Sequence, residues 1–102
     1  MPIPDEILEN VARCFNVLGE PTRLKIFRSV CHGEKCVTDI VTEVGSSQTN
    51  ISRHLGVMYH SGILARQRNG SQMFYSVADP VFIEVCRTLC MKFIVADDRA
   101  AA

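Results

Sequence analysis

The chain has 102 residues, 47% of them apolar, with 11 basic and 11 acidic side chains for a formal net charge of zero. That length fits one domain whose modest core is often completed by oligomerising, and the apolar share excludes a disordered tail protein. No stretch approaches the roughly 18 apolar residues of a membrane span, and the opening Met-Pro-Ile-Pro-Asp-Glu lacks the basic and apolar regions of a signal peptide, which together predict a cytoplasmic protein.

Apolar residues at Ile7, Val11, Cys14, Phe15 and Leu18 share one stripe and predict a first helix over 5–18, closed by Gly19. Pro21 opens a second helix, where its missing N–H costs little. That helix is expected over 21–32, with Leu24, Phe27 and Cys31 on one face, Ile26 and Val30 beside them, and Gly33 at its end. A third, short helix over 37–44 turns Ile40, Val41 and Val44 inward, and Gly45 makes the turn after it.

The next helix is the most informative. Ser47 occupies its N-cap, Gln48, Thr49, Asn50, Ser52, Arg53 and His54 crowd its first two turns, and Ile51, Leu55 and Met58 form a thin buried stripe up to Gly62. Gln and Asn bond adenine edges in bidentate fashion, Arg bonds guanine, and Ser or Thr bonds phosphate. Two short helices joined by a Gly-containing turn make a helix-turn-helix, and this second helix is its candidate recognition helix.

After Gly62 the period changes. Residues 63–68 and 72–77 read as strands, with Asn69-Gly70 between them as a hairpin turn. A hairpin directly after a recognition helix is a wing, and Arg66, Arg68, Asn69 and Gln72 near its tip are candidate contacts to the DNA backbone or minor groove. A last helix, expected over 80–95, follows Asp79-Pro80 and carries Phe82, Cys86, Leu89, Cys90 and Phe93 on one side. The expected fold is thus mainly α with a small β-hairpin wing, in the order α-α-α-α-β-β-α. It forms one domain over 1–96, with a disordered tail over 97–102.

Zero net charge suits a DNA binder once the charges are placed. No acidic residue lies between Glu43 and Asp79, a window that holds Arg53, Arg66 and Arg68 together with His54 and His60. A basic face on a neutral protein is the footprint of phosphate contact. Two other functions compete with this one. A thiol redox enzyme using Cys31 and Cys36 would lack Cys-x-x-Cys and any βαβ pattern. A winged-helix protein-interaction module would not need Arg and Gln on its exposed recognition face. Phosphate-cradling Gly-x-x-x-x-Gly-Lys and nucleophile-elbow Gly-x-Ser-x-Gly motifs are absent.

Taken together, Leu18-Gly19-Glu20-Pro21-Thr22-Arg23-Leu24-Lys25-Ile26, Gly33-Glu34, Ser52-Arg53-His54-Leu55 and the wing from Arg66 to Tyr75 resemble the ArsR/SmtB family of bacterial winged-helix repressors. Each motif is weak alone, but in this order and spacing they are specific, and they cover about residues 10–90. The resemblance implies a homodimer paired through the first and last helices. It implies binding to a palindromic double-stranded DNA operator, with release when an inducer binds. His54 falls at the family's reader position, where it faces DNA or packs. The chain departs from the family at the inducer sites. Where arsenite sensors carry Cys-Val-Cys-Asp-Leu-Cys, this sequence has Cys36-Val37-Thr38-Asp39-Ile40-Val41. The family's zinc-binding Asp-x-His is replaced by Asp79-Pro80-Val81, and the last helix holds no histidine.

The five cysteines, an odd number, are expected to be free thiols. Cys14, Cys86 and Cys90 lie on apolar stripes, where a free thiol packs as a small hydrophobe. Cys86 and Cys90, at i and i+4, are also adjacent on one helix face and form one candidate sensor for a thiophilic metal or metalloid ion or a redox signal. Cys36, at the N-cap of the third helix, would have its thiolate stabilised, and Cys31 across the short connecting turn is its candidate partner. His32 and His60 read as solvated turn and helix-end residues.

Overall fold

The computed structural model describes residues 1–101, with side-chain surroundings for residues 1–96; the tail expected over 97–102 lies outside the residues so described. Five helices and three strands follow in the order α1 (Asp5–Leu18), α2 (Pro21–Val30), β1 (Lys35–Cys36), α3 (Val37–Val44), α4 (Gln48–His60), β2 (Leu64–Asn69), β3 (Gln72–Val77) and α5 (Pro80–Ala101). The strands form one antiparallel sheet in the order β1-β3-β2.

Local chemistry sets the boundaries. Glu20 caps α2, its carboxylate accepting from the Arg23 amide at 3.0 Å, with Pro21 in the first turn. Ser47 does the same for α4, its Oγ accepting from the Asn50 amide at 3.1 Å. Gly45 ends α3 in the left-handed conformation at φ 81°, its N–H donating to the Val41 carbonyl at 2.9 Å. At Gly70, the hairpin tip, φ is 66°. An L side chain at either position would strain the backbone.

Three expectations need correction. The second helix stops at Val30 instead of running to 32: Cys31 is its C-cap, and the Gly33 amide closes the turn onto the Val30 carbonyl at 3.3 Å. The wing is a three-stranded sheet because Lys35 pairs with Tyr75 and Cys36 with Phe74. A two-residue strand shows no alternation for a sequence pattern to detect. The last helix is longer than the expected 80–95.

The core is built where α2, α3, α4 and the base of the wing meet. Ile26, Ile40, Ile51, Leu55, Met58 and Ile63 are fully buried there, with Phe27, Val30, Leu64 and Tyr75 around them. Each such side chain contributes about 1.5–3 kcal/mol by leaving water. The outer helices differ. Of α1, only Val17 and Leu18 are buried, and Ile7, Leu8, Val11 and Phe15 stay about half exposed. Leu89 and Phe93 of α5 are likewise exposed, Phe93 by 64%. The radius of gyration of 15.3 Å exceeds the ~13 Å of a compact chain of this length, as two outlying helices would make it. Among the described residues, no helix is long and apolar enough to cross a membrane.

Candidate nucleic-acid interface

Recognition helix α4 is seated by Ile51, Leu55 and Met58, which are fully buried. This leaves Gln48, Thr49, Ser52 and Arg53 exposed on its outer N-terminal half, beside the cap residue Ser47. Gln48, Thr49 and Ser52 make no side-chain hydrogen bond among the described residues, so their polar atoms are free for an outside partner. Asn50 is half-buried and already occupied. Its Nδ2 donates to Ser46 Oγ at 2.8 Å, and its Oδ1 accepts from Arg53 Nη2 at 2.6 Å. Asn50 therefore braces Arg53, fixing the direction of a long side chain before any ligand arrives.

His54 is not on this outer face. It is 7% exposed, and its Nδ1 accepts a hydrogen bond from Arg23 Nε at 3.1 Å. Its Nε2 lies 3.8 Å from Glu20 Oε2. Burial lowers its pKa below that of an ordinary imidazole. Glu20 opposes that shift, and the cations Arg23 and Arg53 add to it. Of the two readings open for His54, packing inside the fold is the one its geometry matches. The stripe itself carried the signal: position 54 falls between 51 and 58 at the i+3 spacing of a buried face.

On the wing, Arg66, Arg68, Asn69 and Gln72 are all exposed, as are most residues of β2. The two arginines differ. The Arg66 guanidinium lies 3.9 Å over the ring of Tyr59, near the C-terminal end of α4. Arg66 also sits opposite Tyr75 in the sheet, and the Tyr75 side chain is the largest influence raising its already high pKa. Stacking of this kind ties the wing to the recognition helix. Arg68, nearer the tip and paired with Met73, has no such tether. Neither Tyr59 nor Arg23 was given a role from the sequence, because both act through partners that only the fold supplies.

The thiols group differently from their sequence spacing. Cys31, Cys86 and Cys90 line one groove of about 500 Å³ between α2 and α5, floored by Leu24, Phe27 and Ile83. Burial pushes the Cys86 thiol up in pKa, with Cys90 and Cys31 near enough to add to the effect. Cys36 is elsewhere: it is buried in β1 opposite Phe74, and its thiol makes no cap hydrogen bond to α3. So Cys31 shares its groove with the α5 pair. Among the described residues, no three His, Cys, Asp or Glu side chains are close enough together to hold a metal ion.

Residues 20–66 match the model of the bacterial regulatory protein arsR family. Over 94 residues the chain is 34% identical to a probable mercury resistance operon repressor of Streptomyces lividans, covering 92% of this chain and 73% of that one. Its fold superposes on the crystal structure of Mycobacterium tuberculosis Rv0081 with a TM-score of 0.80 at 26% identity, covering 99% of this chain and all of the other. It also matches a homodimeric winged helix-turn-helix DNA-binding domain from Mycobacterium bovis, described as a possible ArsR-family transcriptional regulator. There the TM-score is 0.74 at 28% identity, over 93% of this chain and 85% of that one.

Proposed function

Because this chain belongs to the ArsR family and is a DNA-binding transcriptional repressor, we propose that it acts as a homodimer that reads a palindromic operator and releases it to a thiol-directed inducer. The observation that carries the DNA reading is the Ser47-capped helix, which offers Gln48, Thr49, Ser52 and the braced Arg53 to a major groove from an acid-free stretch of chain. Gln48 and Arg53 read base edges. Ser47, Thr49 and Ser52 bond phosphates, and Arg68, Asn69 and Gln72 extend the contact along the backbone. A protein with this work acts in the cytoplasm. Membership in a regulator family leaves no role for a Cys31/Cys36 oxidoreductase or for a module that avoids DNA.

The dimer reading rests on the half-exposed apolar rows of α1 and α5, a solvent-facing area that a second copy would cover. A two-fold dimer presents two recognition helices to half-sites about one helical turn, ~34 Å, apart. The inducer reading rests on the groove that gathers Cys31, Cys86 and Cys90 beside α5, and on a mercury resistance repressor being among the relatives. Thiolates of this kind bind a soft metal or metalloid ion, or attack the electrophilic oxygen or sulfur of a peroxide or polysulfide, the remainder leaving as water or a shorter sulfide. Its effect there would pass into α5 and so into the dimer.

A mobility-shift titration tests both parts. Gln48→Ala should cost about 1–3 kcal/mol on a duplex selected by this protein and less on random DNA. Mercuric ion, arsenite, polysulfide and peroxide are then added in turn to the wild-type complex and to that of Cys86→Ser/Cys90→Ser. At least one agent should release the wild type at a concentration that leaves the double variant bound. Equal release from both would remove the groove thiols from the switch.

A further inference from the structure

One buried polar contact is not used by the DNA-facing side chains. Arg23, in the first turn of α2, reaches two other elements at once. Its Nη1 donates to the Val17 carbonyl at 3.1 Å, near the end of α1, and its Nε donates to His54 Nδ1 at 3.1 Å, in the middle of α4. Glu20 holds the base of this arm, accepting from the Arg23 backbone amide at 3.0 Å and keeping Oε2 3.8 Å from His54 Nε2. The corner where α1 passes into α2 is itself tight: a Cβ at Gly19 would come within 2.9 Å of the Phe15 carbonyl oxygen. The same corner, with Phe15, Leu18 and Leu24, borders an apolar groove that runs to Leu89 and Phe93 of α5.

We propose that Arg23 and His54 are positioning residues forming a proton-sensitive latch, which sets the recognition helix against the α1–α2 corner and which acid opens. The proposal rests on the DNA reading above and adds a control that none of the thiols supplies.

The chemistry follows from the direction of the hydrogen bond. Arginine only donates, so His54 Nδ1 accepts only while it carries no proton, and the neutral ring bears its hydrogen on Nε2. Adding a proton turns Nδ1 into a donor facing another donor, and the Arg23 bond is lost. The charged groups acting on the ring are Glu20, the cap of α2, Arg23 in its first turn and Arg53 from its own helix; the Val17 carbonyl of α1 is bonded by Arg23 rather than by the ring. Two cations and burial thus oppose the imidazolium, and one carboxylate favours it. The Nε2–H faces Glu20 in both states, so it is the added Nδ1 proton that breaks the bond to Arg23.

The pH sense is fixed by linkage. With the folded pKa of His54 below its ordinary value of 6.5, the unfolded chain binds the proton first as pH falls. The stability that His54 contributes is complete above that value and declines as pH falls towards the folded pKa. Specific DNA binding, which needs the helix at one angle, should weaken over the same acid range. Non-specific binding follows total positive charge and should not fall.

The test measures affinity for a duplex selected by the protein from a random pool, and for a scrambled duplex, from about pH 7.5 to about pH 5.5, spanning the imidazole range. The ratio of the two affinities should drop about tenfold in the wild type, the worth of one hydrogen bond to a charged group. His54→Asn places a carbonyl oxygen near the Nδ1 position and does not titrate, so it should keep the neutral-pH ratio and lose the acid response. Arg23→Met removes the donor, so its ratio should be low throughout. Ring-nitrogen NMR on the free protein supplies a second readout: wild-type His54 should carry its neutral proton on Nε2, and its pKa should rise in Arg23→Met. A His54→Asn protein with the wild-type acid response would overturn the latch. So would an Arg23→Met protein with full specificity and an unmoved His54 titration. A wild type that selects no duplex at neutral pH would instead defeat the repressor reading, with the ring titration still deciding the latch.

Discussion

The two halves of this molecule are finished to different degrees. Around α4, the apolar stripe of Ile51, Leu55 and Met58 is fully buried, Ser47 caps the helix, Asn50 braces Arg53, and Arg66 stacks on Tyr59. Along α1 and α5 the large apolar residues instead stay open, Phe15 by 53% and Leu89 by 52%. The first half is a completed core, and the second leaves its apolar rows half exposed. On the homodimer reading, the difference separates the part whose folding free energy the chain supplies alone from the part that a second copy would complete.

The largest test of this contrast is to charge the open half. Phe15→Asp/Phe93→Asp should leave the α2–α4 core folded while shifting the protein to monomer in sedimentation. The loss of bivalent attachment should lower operator affinity by roughly 10²- to 10⁴-fold. A dimer that survives both changes would mean the two halves are not divided in this way.

Next in size is a matched pair of leucines. Leu55→Ala, at a fully buried position, should cost about 2–5 kcal/mol in urea unfolding. Leu89→Ala, exposed in the single chain, should cost less than about 0.5 kcal/mol when measured in the monomeric background. Similar losses at the two sites would show that α5 is already packed within one chain.

The smallest effect separates two arginines on one strand. Arg68→Gln should reduce the slope of log affinity against log salt by about 0.9 per protomer, the signature of one released phosphate counterion. Arg66→Gln should change that slope less, because its guanidinium is engaged by Tyr59, and should instead loosen the wing. Equal slope changes would make both arginines simple phosphate contacts.

The sequence was legible wherever a feature was local. Glycine stops at Gly45 and Gly62, the Ser47 cap and the Asn69-Gly70 hairpin each depend on residues within one turn, and all stand as read. What could not be read depended on distant partners. The Lys35–Cys36 strand exists only because Tyr75 and Phe74 arrive beside it. The grouping of Cys31 with Cys86 arises from α2 and α5 meeting across half the chain. His54 was legible in part: polarity suggested an outward reader, whereas helical period put it on the buried stripe. The period prevailed because Arg23 and Glu20 meet the ring's polar atoms inside.

The sheet order carries one more consequence. With β3 in the middle, β2 is left as a free edge whose amides and carbonyls point to open solvent, while the opposite edge, β1, is only two residues long. A free edge invites a strand from another molecule, and short edges and charged side chains are the usual deterrents. Arg66 and Arg68, with Gln67 and Asn69, make β2 a poor template for such pairing. The wing's arginines therefore protect the unbound protein from edge-to-edge aggregation. An apolar replacement at either position is expected to be felt as lost solubility before any DNA is added.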